Sequence, residues 1–332
     1  TPCGAFIFTR LTPRPLYRMA WHGRMTADPP STSPFAFRRN IRHMLSSIPL
    51  RMAAMLLLAS GLLACSASVD TRLGEFELSD EPLSGKLVWH DLITDDVQAA
   101  RRFYGGLFGW SFENTTHPNG GDYTLISNGG RFVGGMVELD DPAGADYSRW
   151  LGYLSVIDVD QAVEMTRAAR GQSVAGPMDL PNVGRAAAIQ DPEGAVIGLL
   201  RSDWGDPVDA VREGTGMVVW NELLAADAPA AVAFYSRLAG MEARAEKRPG
   251  GEYHYLRSQG RDRLGVMQRP VEDVTPLWLA HFAVRDVQSA ARRAAELGGD
   301  VLLEPSADFR NGTMALVTDP NGAILALRQW TE

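Results

Sequence analysis

The chain has 332 residues, 45% of them hydrophobic, and a formal net charge of −8. That length supports two domains with cores of their own. The acidic balance repels nucleic acid and anionic headgroups, so nucleic-acid binding drops out as a function class.

Residues 1–43 carry many Pro and Arg without usable periodicity and are expected to be a non-native upstream stretch or a disordered extension. From Met44 the text changes to MLSSIPLRMAAMLLLASGLLACSAS, in which Arg51 precedes an apolar or small run from Met52 to Ala64. This is the layout of a secretory signal, and it is shorter than the roughly 20 residues of a membrane span. Its end, Leu62-Leu63-Ala64-Cys65, resembles the lipobox of bacterial lipoproteins. The resemblance implies a signal peptide over 44–64, a diacylglycerol thioether on Cys65, and a polar tether over 65–85. The protein would then be exported and anchored to the bacterial envelope, and Ser66 favours the periplasmic face of the outer membrane. An ordinary signal peptide with a chance Cys, or an apolar core strand, stays open. Cys3 and Cys65 are the only cysteines, so maturation at Cys65 leaves no free thiol and no disulfide. The first 64 residues hold eight Arg and one Asp, which leaves the mature part at −15.

A repeat organises the rest. KLVWHDLITDDVQAARRFY, WLGYLSVIDVDQAVEMTRAARG, MVVWNELLAADAPAAVAFY and WLAHFAVRDVQSAARRAAELGG begin near 86, 150, 217 and 278. Each reads as a short strand, an acidic turn and an amphipathic helix. Val97, Ala100, Tyr104 and Leu107 form one helical stripe, with Thr94 or Asp95 as its cap. Asp227 caps the third helix with Pro229 in its first turn, and Gly171 and Gly298 are expected to end the second and fourth. Strand-like runs follow, DYTLISNGGRFVGGMVEL matching EYHYLRSQGRDRLGVMQR. The closing runs GRAAAIQDPEGAVIGLLR and GTMALVTDPNGAILALRQ each contain a tight DP-x-G hairpin. One unit is thus strand, helix, then three strands, and one helix on a small sheet cannot close a core alone. Four units predict two domains, 86–201 and 216–331, joined by a linker at 202–215.

The FY at the helix end, the DP-x-G hairpin and the paired units resemble the vicinal oxygen chelate superfamily, which includes glyoxalases, bleomycin-resistance proteins and extradiol dioxygenases. The first strand, W-x-(D/E)-L, is similar to that of two-domain members. The resemblance implies an α+β fold of tandem glyoxalase-like domains, each with two paired βαβββ modules forming a curved mixed-sheet cup. It also implies three positions for metal ligands, which fall on Trp89, Leu151 and Gly198 in one domain and on Trp220, Leu279 and Ala326 in the other. None of these side chains is a metal donor.

Strand alternation puts Asp91 on the face of Trp89, and Glu222 on that of Trp220. Tyr153 and His281 join them, while His90 and Asn221 point the other way. No cofactor is expected; a divalent metal, if held, would fall to Glu222 and His281. The Trp89 and Trp220 rings either fill core space or wall an apolar cup that stacks a flat ligand. Asp91 and Glu222 are either satisfied buried acids or carboxyls able to act as a base or hold a cation. The expected function is metal-free binding of a small, partly aromatic or cationic molecule. The alternative is lyase, isomerase or dioxygenase chemistry through a displaced metal site or a carboxylate base. A structural or interaction module of the envelope is a third reading. Membrane contact would be through the lipid alone, and pairing within the chain predicts a monomer.

Overall fold

The computed structural model describes residues 77–139, 148–209, 214–248, 251–270, 272, 274–307 and 309–330. The signal segment, Cys65 and most of the tether lie outside the described residues. No described helix is long and apolar enough to cross a membrane.

The first module runs β1 (Leu87–Thr94), α1 (Val97–Phe108), β2 (Ser111–Thr116), β3 (Asp122–Asn128) and β4 (Arg131–Glu138). The second runs β5 (Arg149–Ser155), α2 (Val159–Ala168), β6 (Gln172–Leu180), β7 (Gly184–Gln190) and β8 (Val196–Ser202). The third is β9 (Val218–Ala225), α3 (Ala228–Ala239), β10 (Glu242–Arg248), β11 (Gly251–Ser258) and β12 (Arg261–Gln268). The fourth is β13 (Leu277–Val284), α4 (Val287–Glu296), β14 (Val301–Leu303), β15 (Met314–Thr318) and β16 (Ile324–Gln329). Modules pair into two eight-stranded mixed sheets, ordered β2-β3-β4-β1-β5-β8-β7-β6 and β10-β11-β12-β9-β13-β16-β15-β14.

Capping differs from the sequence reading in two places. Asp96, rather than Thr94 or Asp95, caps α1 by accepting the Ala99 N–H. The same device recurs at Asp158, Asp227 and Asp286, whose carboxylates each satisfy an N–H that the helix start leaves open. After α2 the left-handed position falls on Arg170 rather than Gly171. Gly171 is still needed, because a Cβ there would lie 2.5 Å from the Gln190 carbonyl oxygen.

Side chains along β1 divide between two faces, as a period of two requires. His90 and Leu92 turn towards the helices, and Trp89 and Asp91 turn away from them. The helical faces of the two sheets then share their cores. One core joins α1 residues Phe103 and Tyr104 to Phe282, Val287 and Ala291 of the fourth module. The other joins Leu154, Val163 and Ile197 of the second module to Phe234, Tyr235 and Trp278. Modules therefore pair by sheet within a domain and by core across domains. At the centre His90 and Asn221, equivalent positions of the repeat, face each other with Nε2 and Oδ1 2.9 Å apart.

Candidate functional site: two unequal cups

The sheet face without helices carries the candidate residues in each domain. Register brings Trp89, Tyr153 and Gly198 into one row across β1, β5 and β8, and Trp220, His281 and Ala326 into the equivalent row. The sequence reading set Leu151 and Leu279 in these rows. They lie two residues away, beside Asp91 and Glu222. The register is regular from Trp89 to Ile93 and from Trp220 to Leu224. It is this cross-strand register, which sequence spacing does not carry, that sets Tyr153 and His281 rather than the leucines beside the tryptophans.

In the first cup a buried carboxyl is ringed by neutral donors. Asp91 is 3% exposed. The Tyr123 phenol donates to its Oδ1 at 2.6 Å, and the Trp89 indole N–H donates to the same oxygen at 2.9 Å. Tyr153 supplies a further hydrogen bond. Burial pushes the Asp91 carboxyl above its usual range, and these donors, with the charge of His117 when protonated, only partly hold it down. Two glycines make the room. A Cβ on Gly198 would lie 2.4 Å from the Tyr153 ring, and one on Gly135 would lie 1.8 Å from the Tyr123 hydroxyl.

The second cup keeps the plan and changes the charge. Trp220 donates to the Tyr253 hydroxyl at 2.8 Å, and Arg310 bonds the Glu222 carboxylate at 2.8 Å. Burial works to raise the Glu222 carboxyl, but protonated His281, the Arg310 guanidinium and the Tyr253 phenol together pull it below its usual range. His281 is fully buried and its own pKa falls to about 4, chiefly through desolvation. At neutral pH it is therefore an uncharged imidazole, and Arg310 carries the positive charge opposite Glu222. Neither His281 ring nitrogen has a hydrogen-bond partner among the described residues.

All six residues chosen from the sequence thus fall on the two cup faces, three to a cup. Sequence reasoning missed Tyr123, Tyr253 and Arg310. The first two left a signal, since the matched runs DYTLISNGG and EYHYLRSQG both keep a Tyr at their second position. Arg310 left none: its counterpart in the first domain is Asn182.

A divalent ion needs several converging N, O or S donors. Among the described residues no three His, Cys, Asp or Glu side chains converge in this way. The first cup offers Asp91 alone; the second offers Glu222 and His281, with a guanidinium already on Glu222. These residues do not fit a metal.

The model of the glyoxalase/bleomycin resistance protein/dioxygenase superfamily matches residues 86–199, and that of a glyoxalase-like domain matches 217–327. CFP32 of Mycobacterium tuberculosis, provisionally named a glyoxylase, is 34% identical over 72% of this chain and 92% of its own length. The anthracycline biosynthesis protein DnrV of Streptomyces peucetius is 32% identical over 74% of this chain and 94% of its own. A Mn(II)-bound glyoxalase from Novosphingobium aromaticivorans superposes with a TM-score of 0.51 at 16% identity, covering 76% of this chain and 84% of its own, which bears on the fold alone. With both sheets covered by these matches, the chain belongs to the glyoxalase/bleomycin resistance protein/dioxygenase superfamily.

Proposed function

We propose that this protein is a metal-independent member of its superfamily whose first cup binds a small, flat molecule that is partly aromatic or cationic. One observation carries the reading: Asp91 is a buried carboxyl whose hydrogen-bonding neighbours, Trp89, Tyr123 and Tyr153, are all neutral. A cationic ligand supplies the missing countercharge and favours the ionised carboxylate. The Trp89 ring, half-buried beside Phe132 at 6.5 Å between centroids, offers a face for stacking. Relatives named for anthracycline biosynthesis agree with a ligand built on fused aromatic rings.

A panel of flat aromatic amines and their uncharged analogues, titrated by calorimetry, tests this. Amines should bind about tenfold or more tighter than the neutral analogues, and Asp91→Asn should erase the preference. Equal binding of both classes, or a preference that survives Asp91→Asn, would sink the reading.

A second reading makes Asp91 a general base. The 2.6 Å contact with the Tyr123 phenol and the raised carboxyl supply a proton acceptor beside a proton donor, as in lyase or isomerase chemistry. Turnover of a candidate carbon acid that persists in Asp91→Asn would remove it.

We also propose that the protein is an envelope lipoprotein and a monomer, on the strength of the 44–64 segment, the lipobox at Cys65 and the two cores shared within one chain. Radiolabelled palmitate should enter the native chain and be lost in Cys65→Ser. Label retained in that variant would refute the anchor.

A further inference from the structure

The two cups differ most at positions that the repeat makes equivalent. The closing segments align residue for residue, so Arg310 and Arg328 of the second domain stand where the first has Asn182 and Leu200. Along β16, Ala326 and Arg328 share the cup face, and register sets Ala326 beside His281. Arg328 lies near enough for its charge to act on His281. Arg328 as a residue is half-buried and makes no ion pair among the described residues.

His281 is the second, separate observation. Both ring nitrogens are buried and, among the described residues, unbonded, although buried polar groups normally find partners. The position has a donor and an acceptor to offer to something that enters the cup. Around it, Leu279, Met314 and Ala326 form a small apolar cluster apart from the two main cores. At the rim Arg248 lies over the Tyr253 ring at 3.9 Å and Arg244 over Tyr255 at 4.1 Å. Both also pair with carboxylates, Arg248 with Glu246 and Arg244 with Glu246 and Asp262, so these guanidiniums order the two Tyr rings and the anion-holding charge falls to Arg310 and Arg328.

We infer that the second cup is a binding site for an aromatic carboxylate, with the anionic group held by Arg328, Arg310 and the His281 N–H and the ring laid on Leu279, Met314 and Ala326. Arg310 serves such a ligand without leaving Glu222, because a guanidinium has five N–H donors. The two cups then select opposite charges: a cation beside Asp91 in the first, an anion beside Arg328 in the second. This site stands independently of the reading of the first cup.

Calorimetric titration of the full chain with 2-naphthoate and with 2-naphthamide, the same ring without the charge, tests the inference. Naphthoate should saturate one site per chain, and the amide should bind at least about tenfold more weakly. Arg328→Gln, which removes a half-exposed group with no ion pair to break, should cost about tenfold or more in naphthoate affinity. Asp91→Asn should leave that affinity as it is. In the wild-type chain the ring ¹⁵N signals of His281 should shift as naphthoate saturates. No saturable binding at millimolar naphthoate, equal affinity for acid and amide, or full affinity in Arg328→Gln would overturn the site. Loss of naphthoate in Asp91→Asn instead would move the ligand to the first cup and overturn it equally.

Discussion

The phenol of Tyr104, at the end of the first helix, donates to Asp319 Oδ2 at 3.1 Å, across 215 positions of sequence and into the opposite domain. The repeat returns the contact, with Tyr235 donating to Asp191 at 2.9 Å. Trp150 and Trp278 each donate an indole N–H to one of these phenols at 3.0 Å. The Tyr of each FY and the Asp of each DP-x-G are thus two halves of one interdomain lock. Tyr104→Phe leaves a buried indole N–H and a buried carboxyl each short of a partner, at about 1–3 kcal/mol apiece. The expected loss is about 2–4 kcal/mol in urea titration. Because the cores are shared, the transition should stay single; two separate transitions would contradict this.

Acid and base stability pull in opposite directions, and named groups account for each. Burial lifts Asp319 to about 6, so between its unfolded value near 4 and that pKa the folded state binds the extra proton. Stability contributed there is present at low pH and lost as pH rises through 6. His90 runs the other way: desolvation lowers it to about 4, and the unfolded chain takes up its proton first. Stability is then full above about 6.5 and falls as pH drops towards 4. Each effect is at most on the order of 3 kcal/mol. Asp319→Asn keeps the carbonyl that accepts the Ala323 and Asn321 N–H groups, and it should steepen the acid loss between pH 6.5 and 4. His90→Asn should flatten it. Thermal melts at half-unit pH steps check both, and parallel profiles for wild type and variants would refute the assignment.

How far the sequence could be read follows from which forces are local. Strand alternation and helical stripes are local, so the faces of Trp89, Asp91, Trp220 and Glu222 could be assigned from text alone. The pairing of Leu151 with Asp91 could not, because the register between β1 and β5 is a non-local property of two strands about 60 positions apart. Arg310 reaches Glu222 over 88 positions from a turn that no period marks. The cross-domain lock was visible only as two motifs without a link, since their meeting depends on how the sheets pack.

Glu222 and Asp91 occupy equivalent positions and should answer differently to loss of charge. Glu222→Gln removes the anion opposite Arg310. Breaking a buried pair costs about 3–5 kcal/mol, less here because the Arg310 side chain is 24% exposed, so about 2–3 kcal/mol is expected. Asp91 makes no ion pair among the described residues, and burial already favours its protonated form. Asp91→Asn should therefore change stability by no more than about 1 kcal/mol at pH 7, in either direction. Denaturant midpoints of the two variants give the comparison, and equal losses would mean that the cups are electrostatically alike.

Gly198 offers a way to disturb the first cup without touching its carboxyl. An added Cβ would sit 2.4 Å from Cδ1 of Tyr153, closer than packed carbons allow. The ring must tilt away from β8, and its hydrogen bond to Asp91 goes with it. Overpacking of this kind costs about 1–3 kcal/mol. In the second domain the row carries Ala326 beside His281, so a methyl is tolerated where the neighbouring side chain is an imidazole rather than a phenol. Gly198→Ala should therefore weaken the binding of flat cations in the first cup and leave naphthoate in the second unchanged. Loss of both together would mean that the substitution disturbs the shared fold rather than one cup. Retention of both would mean that Tyr153 does not set the shape of the first.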